Sequence, residues 1–218
     1  MKLLYLDELK GFYKSKVMAI LWLGMPLLSL LMHFLQAGVE ELPISFLVGL
    51  VVASIGGTLS SVMLSTSIVN EKNRQVYDLF LIRPVKRRNI LFAKFLAVYS
   101  CLLIATVISL IVGVLIDVLT IGLPAETVME QIFESMSISL GAMAISCSLG
   151  ILIGIVTSSV AAAAIVSIYI GNQLSLLSML PSLFLPGINP IVFSALIGIT
   201  LSSLFLFLST SLFKKKLS

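Results

Sequence analysis

The sequence predicts an all-α membrane protein with six transmembrane helices, preceded by an amphipathic helix that lies in the membrane plane. Of the 218 residues, 59% are apolar and 11% charged, and the mean hydropathy is +1.15, outside the range of soluble domains. The charged residues cluster, leaving uncharged intervals long enough to cross a bilayer. Those intervals are apolar on all sides. That excludes the alternating strands of a closed barrel, the other architecture that satisfies its backbone in lipid.

The elements follow in order. Residues 2–15 read as an interfacial helix, with Tyr5, Leu6, Leu9, Phe12 and Tyr13 on one arc and Asp7, Lys10, Gly11 and Lys14 opposite. The alternative is a frayed basic anchor. A signal peptide does not fit: Asp7 and Glu8 sit where its basic region would be, the apolar run is of spanning length, and no small-x-small site closes it. A hydrocarbon core of about 30 Å needs roughly 20 helical residues. Six segments meet that requirement: 17–36, 44–69, 90–116, 132–157, 159–180 and 191–213, the third and fourth with uncharged cores at 95–116 and 135–157. The run between Glu134 and Lys214 carries no charge and is too long for one helix. Thr157-Ser158-Ser159 and the prolines Pro181, Pro186 and Pro190 divide it.

Orientation follows from the 14 basic residues, because short loops rich in Lys and Arg stay in the cytoplasm. Lys2, Lys10, Lys14 and Lys16 precede the first span. Lys72, Arg74, Arg83, Lys86, Arg87, Arg88 and Lys94 lie between the second and third, and Lys214, Lys215 and Lys216 follow the sixth. The alternate connections carry only acids: Glu40 and Glu41, then Asp117, Glu126, Glu130 and Glu134. Both termini are therefore expected in the cytoplasm. The net charge of +4 reports this topology and contact with anionic headgroups, so nucleic acid is not an expected partner.

Catalytic chemistry finds little support. No Gly-Lys pair occurs, so no P-loop can cradle phosphate, and the chain is not expected to hydrolyse ATP. A serine intramembrane protease needs a His base, and the single His33 stands far from any G-x-S-x-G. An aspartyl type needs two embedded Asp residues, whereas Asp117 ends a span and Asp7 and Asp78 lie outside lipid. One His and two span-embedded cysteines, Cys101 and Cys147, assemble neither a metal cluster nor a disulfide framework. The spans show no Lys, Arg, Asp or Glu beyond their ends, which weighs against an ion-coupled carrier.

The informative segment is the loop from Asn70 to Lys94, which is too apolar for a solvated hairpin. Val76, Leu79 and Phe80 share a helical face, Tyr77 stands beside them, and Pro84 ends the turn. Local physics leaves two readings open. Such a short helix seats in a partner's groove, or it lies on the membrane with Lys86, Arg87 and Arg88 against phosphates.

Glu71-x-x-Arg74, Leu79, Pro84-Val85, the basic residues at 86–88, Ile90 and Lys94 together resemble the loop between the second and third spans of type-2 ABC transporter permeases. The chain departs at Gln75, where the family has Gly, and at Val76, where it has Thr or Ser. Gly would break the chain after Arg74 and Gln would not, which leaves open where the local helix starts. The wider likeness spans the whole chain. It implies an exporter-type permease that pairs with a second copy or a paralogue and is driven by separate ABC ATPase subunits, which bind the ATP and Mg. No cofactor is expected in this chain. The resemblance makes 70–89 a coupling loop, with Glu71, Arg74, Tyr77, Leu79, Phe80, Arg83 and Pro84 forming the ATPase contact and the Thr157–Ser159 turn a second, smaller one.

The uncharged stretch Leu180 to Pro190 reads as a re-entrant hairpin near the outer mouth, or as an exposed turn. Asn172 and Gln173 either face the pathway or hydrogen-bond a neighbouring helix. Gly150-x-x-x-Gly154 marks a close helix contact. Apolar and hydroxyl side chains along the spans suit a hydrophobic or amphipathic cargo. Outside this family reading stand a membrane scaffold or sensor subunit and an autonomous carrier or channel.

Overall fold

The computed structural model describes residues 2–14, 16–35, 44–75, 87–120, 126–175, 177 and 189–216. They form seven helices: α1 (Lys2–Tyr13), α2 (Lys16–Leu35), α3 (Ile44–Asn73), α4 (Arg87–Thr120), α5 (Glu126–Val156), α6 (Val160–Ser175) and α7 (Pro190–Lys216). No strand occurs among the described residues. The expected connection at 37–43, residues 121–125 of the one expected between Asp117 and Glu134, and residues 180–188 of the expected re-entrant hairpin lie outside them, as does the side chain of His33.

Several helices outrun the apolar intervals. Asn73 rather than residue 69 ends α3, α4 runs from Arg87 to Thr120, and α5 begins at Glu126. Hydropathy marks where lipid contact ends, whereas i→i−4 hydrogen bonding continues into the polar interface until a cap stops it. In α6 the described helix runs to Ser175, and most of residues 176–180 of the expected span lie outside the described residues.

Among the described residues, three stretches are long and apolar enough to cross a membrane: Arg88–Ile116, Ile132–Val156 and Pro190–Phe213. Met18–Leu27 and Val160–Leu174 form shorter apolar segments. The ends carry identifiable caps. Asn189 Oδ1 accepts from Ile191 N at 3.1 Å and Pro190 occupies the first helical position, where its missing N–H leaves no partner wanting. At the α5–α6 turn, Thr157 Oγ1 donates back to the Ile153 carbonyl at 2.7 Å, and the Ser159 carbonyl accepts the first bond of α6 from Ala163 N.

The bundle is built around α5. Within its spanning stretch 83% is buried, against 17% in α7, which lies at the periphery. The most extensive contact is between α3 and α5; α4 packs on both of them and carries α2, α6 packs on both, and α7 packs on α5. Lipid tails are as apolar as the side chains, so close approach and dispersion hold such a pair together. The Gly150/Gly154 spacing serves this purpose: a Cβ on Gly150 would lie 2.6 Å from the Ser61 carbonyl oxygen, and one on Gly154 would lie 2.9 Å from both the Ser65 carbonyl and the Ile68 Cβ. Buried serines complete the contact, with Ser167 Oγ donating to Ser65 Oγ at 2.7 Å across α6 and α3.

The apolar arc of α1 divides in two. Tyr5, Leu9 and Phe12 pack on the core, whereas Leu6 and Tyr13 are exposed, at 40% and 62%, and the half-buried Glu8 stands on the core-facing side. A charge with a buried partner belongs on that side.

Gly150→Ala is expected to destabilise the protein by about 1–3 kcal/mol, because the obstructing atoms are backbone and cannot rotate away. Thermal unfolding in detergent reads this as a lowered midpoint, and an unchanged midpoint would disprove the close-approach role.

Candidate functional site

About two turns into α4, the apolar run is interrupted by Lys94, which is only 2% exposed. Its Nζ lies 3.0 Å from Glu8 of α1 and 2.6 Å from Glu71 Oε1 of α3. Glu71 Oε1 also accepts from Ser67 Oγ at 3.0 Å, and the ammonium stands 5.7 Å from the Phe12 ring centroid. A buried ammonium is tolerated only when opposite charge and hydrogen bonds replace its water, and here both do. Lys94 lies just before the uncharged core of the third expected span, at 95–116, so a charge at a span's end is the one that is buried. One lysine binds three helices that are far apart in sequence.

The helices present these groups by simple spacing. Glu8 falls on the same face of α1 as Tyr5 and Phe12, three residues before it and four after, and Tyr5 Oη donates to Ser100 Oγ of α4 at 3.0 Å. Ser67 and Glu71 are four apart on α3, so the hydroxyl reaches the carboxylate one turn away.

Two carboxylates against one ammonium leave the cluster with excess negative charge. Burial pushes the Glu8 carboxyl above its ordinary value of 4.5; Lys94 pulls it back, while Glu71 and Asp7 repel its charge. Beside the cluster is a cavity of about 570 Å³, lined by Glu8, Gly11 and Phe12 of α1, by Thr66, Ser67, Asn70 and Glu71 among others of α3, and by Val160 of α6. Its chemistry suits water or a cationic side chain. Among the described residues, no group of three His, Cys, Asp or Glu is placed to hold a metal.

The end of α3 is also tied to the short α5–α6 turn. Lys72 Nζ donates to the Thr157 carbonyl at 3.2 Å and Asn73 Nδ2 to the Ser158 carbonyl at 3.4 Å. There the helix stops: Arg74 N still bonds the Asn70 carbonyl, Gln75 N bonds Lys72 O at 3.1 Å, and Gln75 has a φ of 55°. Gln75 therefore makes the left-handed break that a Gly would make, at a conformational cost of about 1–2 kcal/mol for a residue with a Cβ. The break after Arg74, left open by the sequence, is present despite the substitution.

Of the residues expected to contact an ATPase, Glu71 faces inward onto Lys94 and Arg74 is exposed. Tyr77, Leu79, Phe80, Arg83 and Pro84 lie outside the described residues. Asn172 Oδ1 accepts from Ser54 Oγ of α3 at 3.3 Å, whereas Gln173 is exposed. Sequence reasoning missed Glu8 and Ser67, and saw Lys94 only as the last residue of a motif. A signal for Glu8 was present in its register with Tyr5 and Phe12.

The family model for ABC-2 family transporter proteins matches residues 4–184, which includes every residue of the ion cluster and the turn it adjoins. The chain belongs to the ABC-2 transporter family. Among curated proteins, none matches it. The chain is thus an ABC-2 type permease and a multi-pass membrane protein, and the Glu8–Lys94–Glu71 cluster joins the two helices that bracket its Val76–Lys86 segment.

Lys94→Met is expected to cost about 1–3 kcal/mol by leaving two partly buried carboxylates unpaired. Adding Glu8→Gln and Glu71→Gln should recover most of that loss, and simple additivity of the three would contradict the paired-charge account. The raised Glu8 pKa gives a pH signature. The native state holds this proton more tightly than the unfolded chain, so the resulting stability is full below about 4.5 and is lost as pH rises through the raised value. Relative to Glu8→Gln, the wild-type permease should therefore gain thermal stability as pH falls from neutral towards 4.5. A parallel pH profile for the two proteins would contradict that signature.

Proposed function

We propose that this permease is the membrane subunit of an ATP-driven exporter in a prokaryotic cytoplasmic membrane. It spans the bilayer six times with both termini in the cytoplasm, and a pair of permeases, identical or paralogous, encloses the pathway. Separate ABC ATPase subunits bind ATP and Mg and dock on the 70–89 loop. There the apolar face of Leu79 and Phe80 supplies the anchor, and Arg74 and Arg83 set the register.

The observation that carries this reading is the buried ion cluster. A loop transmits motion only if the helices on either side move as one body. Lys94 clamps the start of α4 to the end of α3 and to α1, and the Lys72 and Asn73 bonds tie that end of α3 to the α5–α6 turn. A push on the loop would then reach α3 and α4 together, and α5 through the glycine contact. Excess negative charge beside the cavity also suits a basic side chain from a docked partner.

Affinity purification of the tagged permease from its native membrane, in mild detergent, tests this. A soluble protein bearing a phosphate-binding P-loop should co-elute in roughly equimolar amount. Leu79→Asp should abolish that co-elution while the permease still elutes as a single folded species, because it places a charge in the apolar contact. A permease that elutes alone even after crosslinking would overturn the ATP-driven reading and favour a scaffold or an autonomous carrier.

A further inference from the structure

A second cavity, of about 300 Å³, lies between α4 and α7, helices that touch each other only sparsely. Its α7 wall includes Ile199, Ser203, Phe207 and Thr210, positions three to four residues apart that form one stripe along about 16 Å of helix. The α4 wall is Arg88 and Phe92, one turn apart, with the exposed guanidinium 5.1 Å from the centroid of the Phe92 ring. The groove is thus apolar along its length and cationic at one end.

The geometry points to a binding site for one anionic phospholipid of the cytoplasmic leaflet, its phosphate on Arg88 and part of an acyl chain along the α7 stripe. Peripheral α7 puts the groove on the lipid-facing side of the bundle: Phe207 is 74% exposed and the spanning stretch is only 17% buried. Arg88 offers a forked donor set that matches phosphate oxygens, and basic clefts between helices at the cytoplasmic interface select anionic lipids. Thr210 Oγ1 already donates its proton to the Phe207 carbonyl at 2.9 Å. Its oxygen is left as an acceptor, which favours a hydroxyl-bearing headgroup such as phosphatidylglycerol over a choline. A free phosphate would engage Arg88 but leave the apolar stripe uncovered, so the lipid is the occupant that fits both ends.

The leaflet assignment rests on the orientation proposed above; the lipid preference does not. Native mass spectrometry of the full-length permease, delipidated in detergent and given equal amounts of phosphatidylglycerol and phosphatidylcholine with the same acyl chains, tests it. One phosphatidylglycerol per chain should survive activation that strips phosphatidylcholine. Arg88→Gln should lower its retention about five-fold, and Arg88→Lys should keep most of it. Ser203→Phe, which fills the groove and leaves the charge, should also lose the adduct. Equal retention of the two lipids, or phosphatidylglycerol retention unchanged in both Arg88→Gln and Ser203→Phe, would overturn the site. Displacement of the lipid by excess inorganic phosphate would also overturn it, since that marks an anion site with no acyl contribution. Impermeant thiol reagent should leave Lys86→Cys unlabelled in intact cells; labelling would overturn the leaflet assignment alone, with the adduct unaffected.

Discussion

An ammonium group taken out of water must be met by negative charge, and most of the described architecture at the basic end of this permease follows from meeting that demand for Lys94. The lysine lies on α4, but α4 carries no acid that could neutralise it. One carboxylate comes from α3 and the other from α1, so neither helix can shift without unpairing a buried charge. Apolar contacts in lipid would tolerate sliding, because side chains and acyl tails are nearly equivalent solvents for one another. The ion cluster supplies the directional constraint that such packing lacks.

Deeper in the bundle the constraint changes character. Gly150 and Gly154 bring α5 against the backbone of α3, and Ser167 of α6 bonds Ser65 on α3 beside that contact. Close approach maximises dispersion and leaves no room for sliding through a rotamer change. The two devices act on the same helix, α3, at different depths: charge at the interface and backbone contact in the interior. Together they join α1, α3, α4 and α5 into one unit, while α7 stays at the periphery with its outer face exposed. Because α7 is held by α5 and only sparsely by α4, the groove beside Arg88 is left between α4 and α7.

Much of this was legible in the chain. The apolar intervals located the helices, the prolines and the Thr157–Ser159 turn divided the long charge-free run, and the loop motif around Glu71 and Lys94 pointed to the family that the match over residues 4–184 then established. What was not legible shares one cause. The part played by Glu8 and Lys94 escapes a one-dimensional pattern, which scores each residue by its own polarity. Whether a charge is buried depends on a partner elsewhere, and the partners of Lys94 lie 86 and 23 residues away. Gln75 teaches the same lesson at short range: its side chain favours continuing a helix, yet the chain breaks there, with Lys72 and Asn73 anchored to the neighbouring turn.

Sequence by itself determined what depends on composition and local spacing: the membrane class, the helical architecture and the family. These follow from transfer free energies and backbone hydrogen bonding, which act residue by residue or turn by turn. Tertiary structure alone decided which charges are buried, which glycines meet which backbone, and where a cleft remains between helices. Those outcomes depend on pairs of surfaces brought together from distant parts of the chain, and their energies exist only once the helices are in contact.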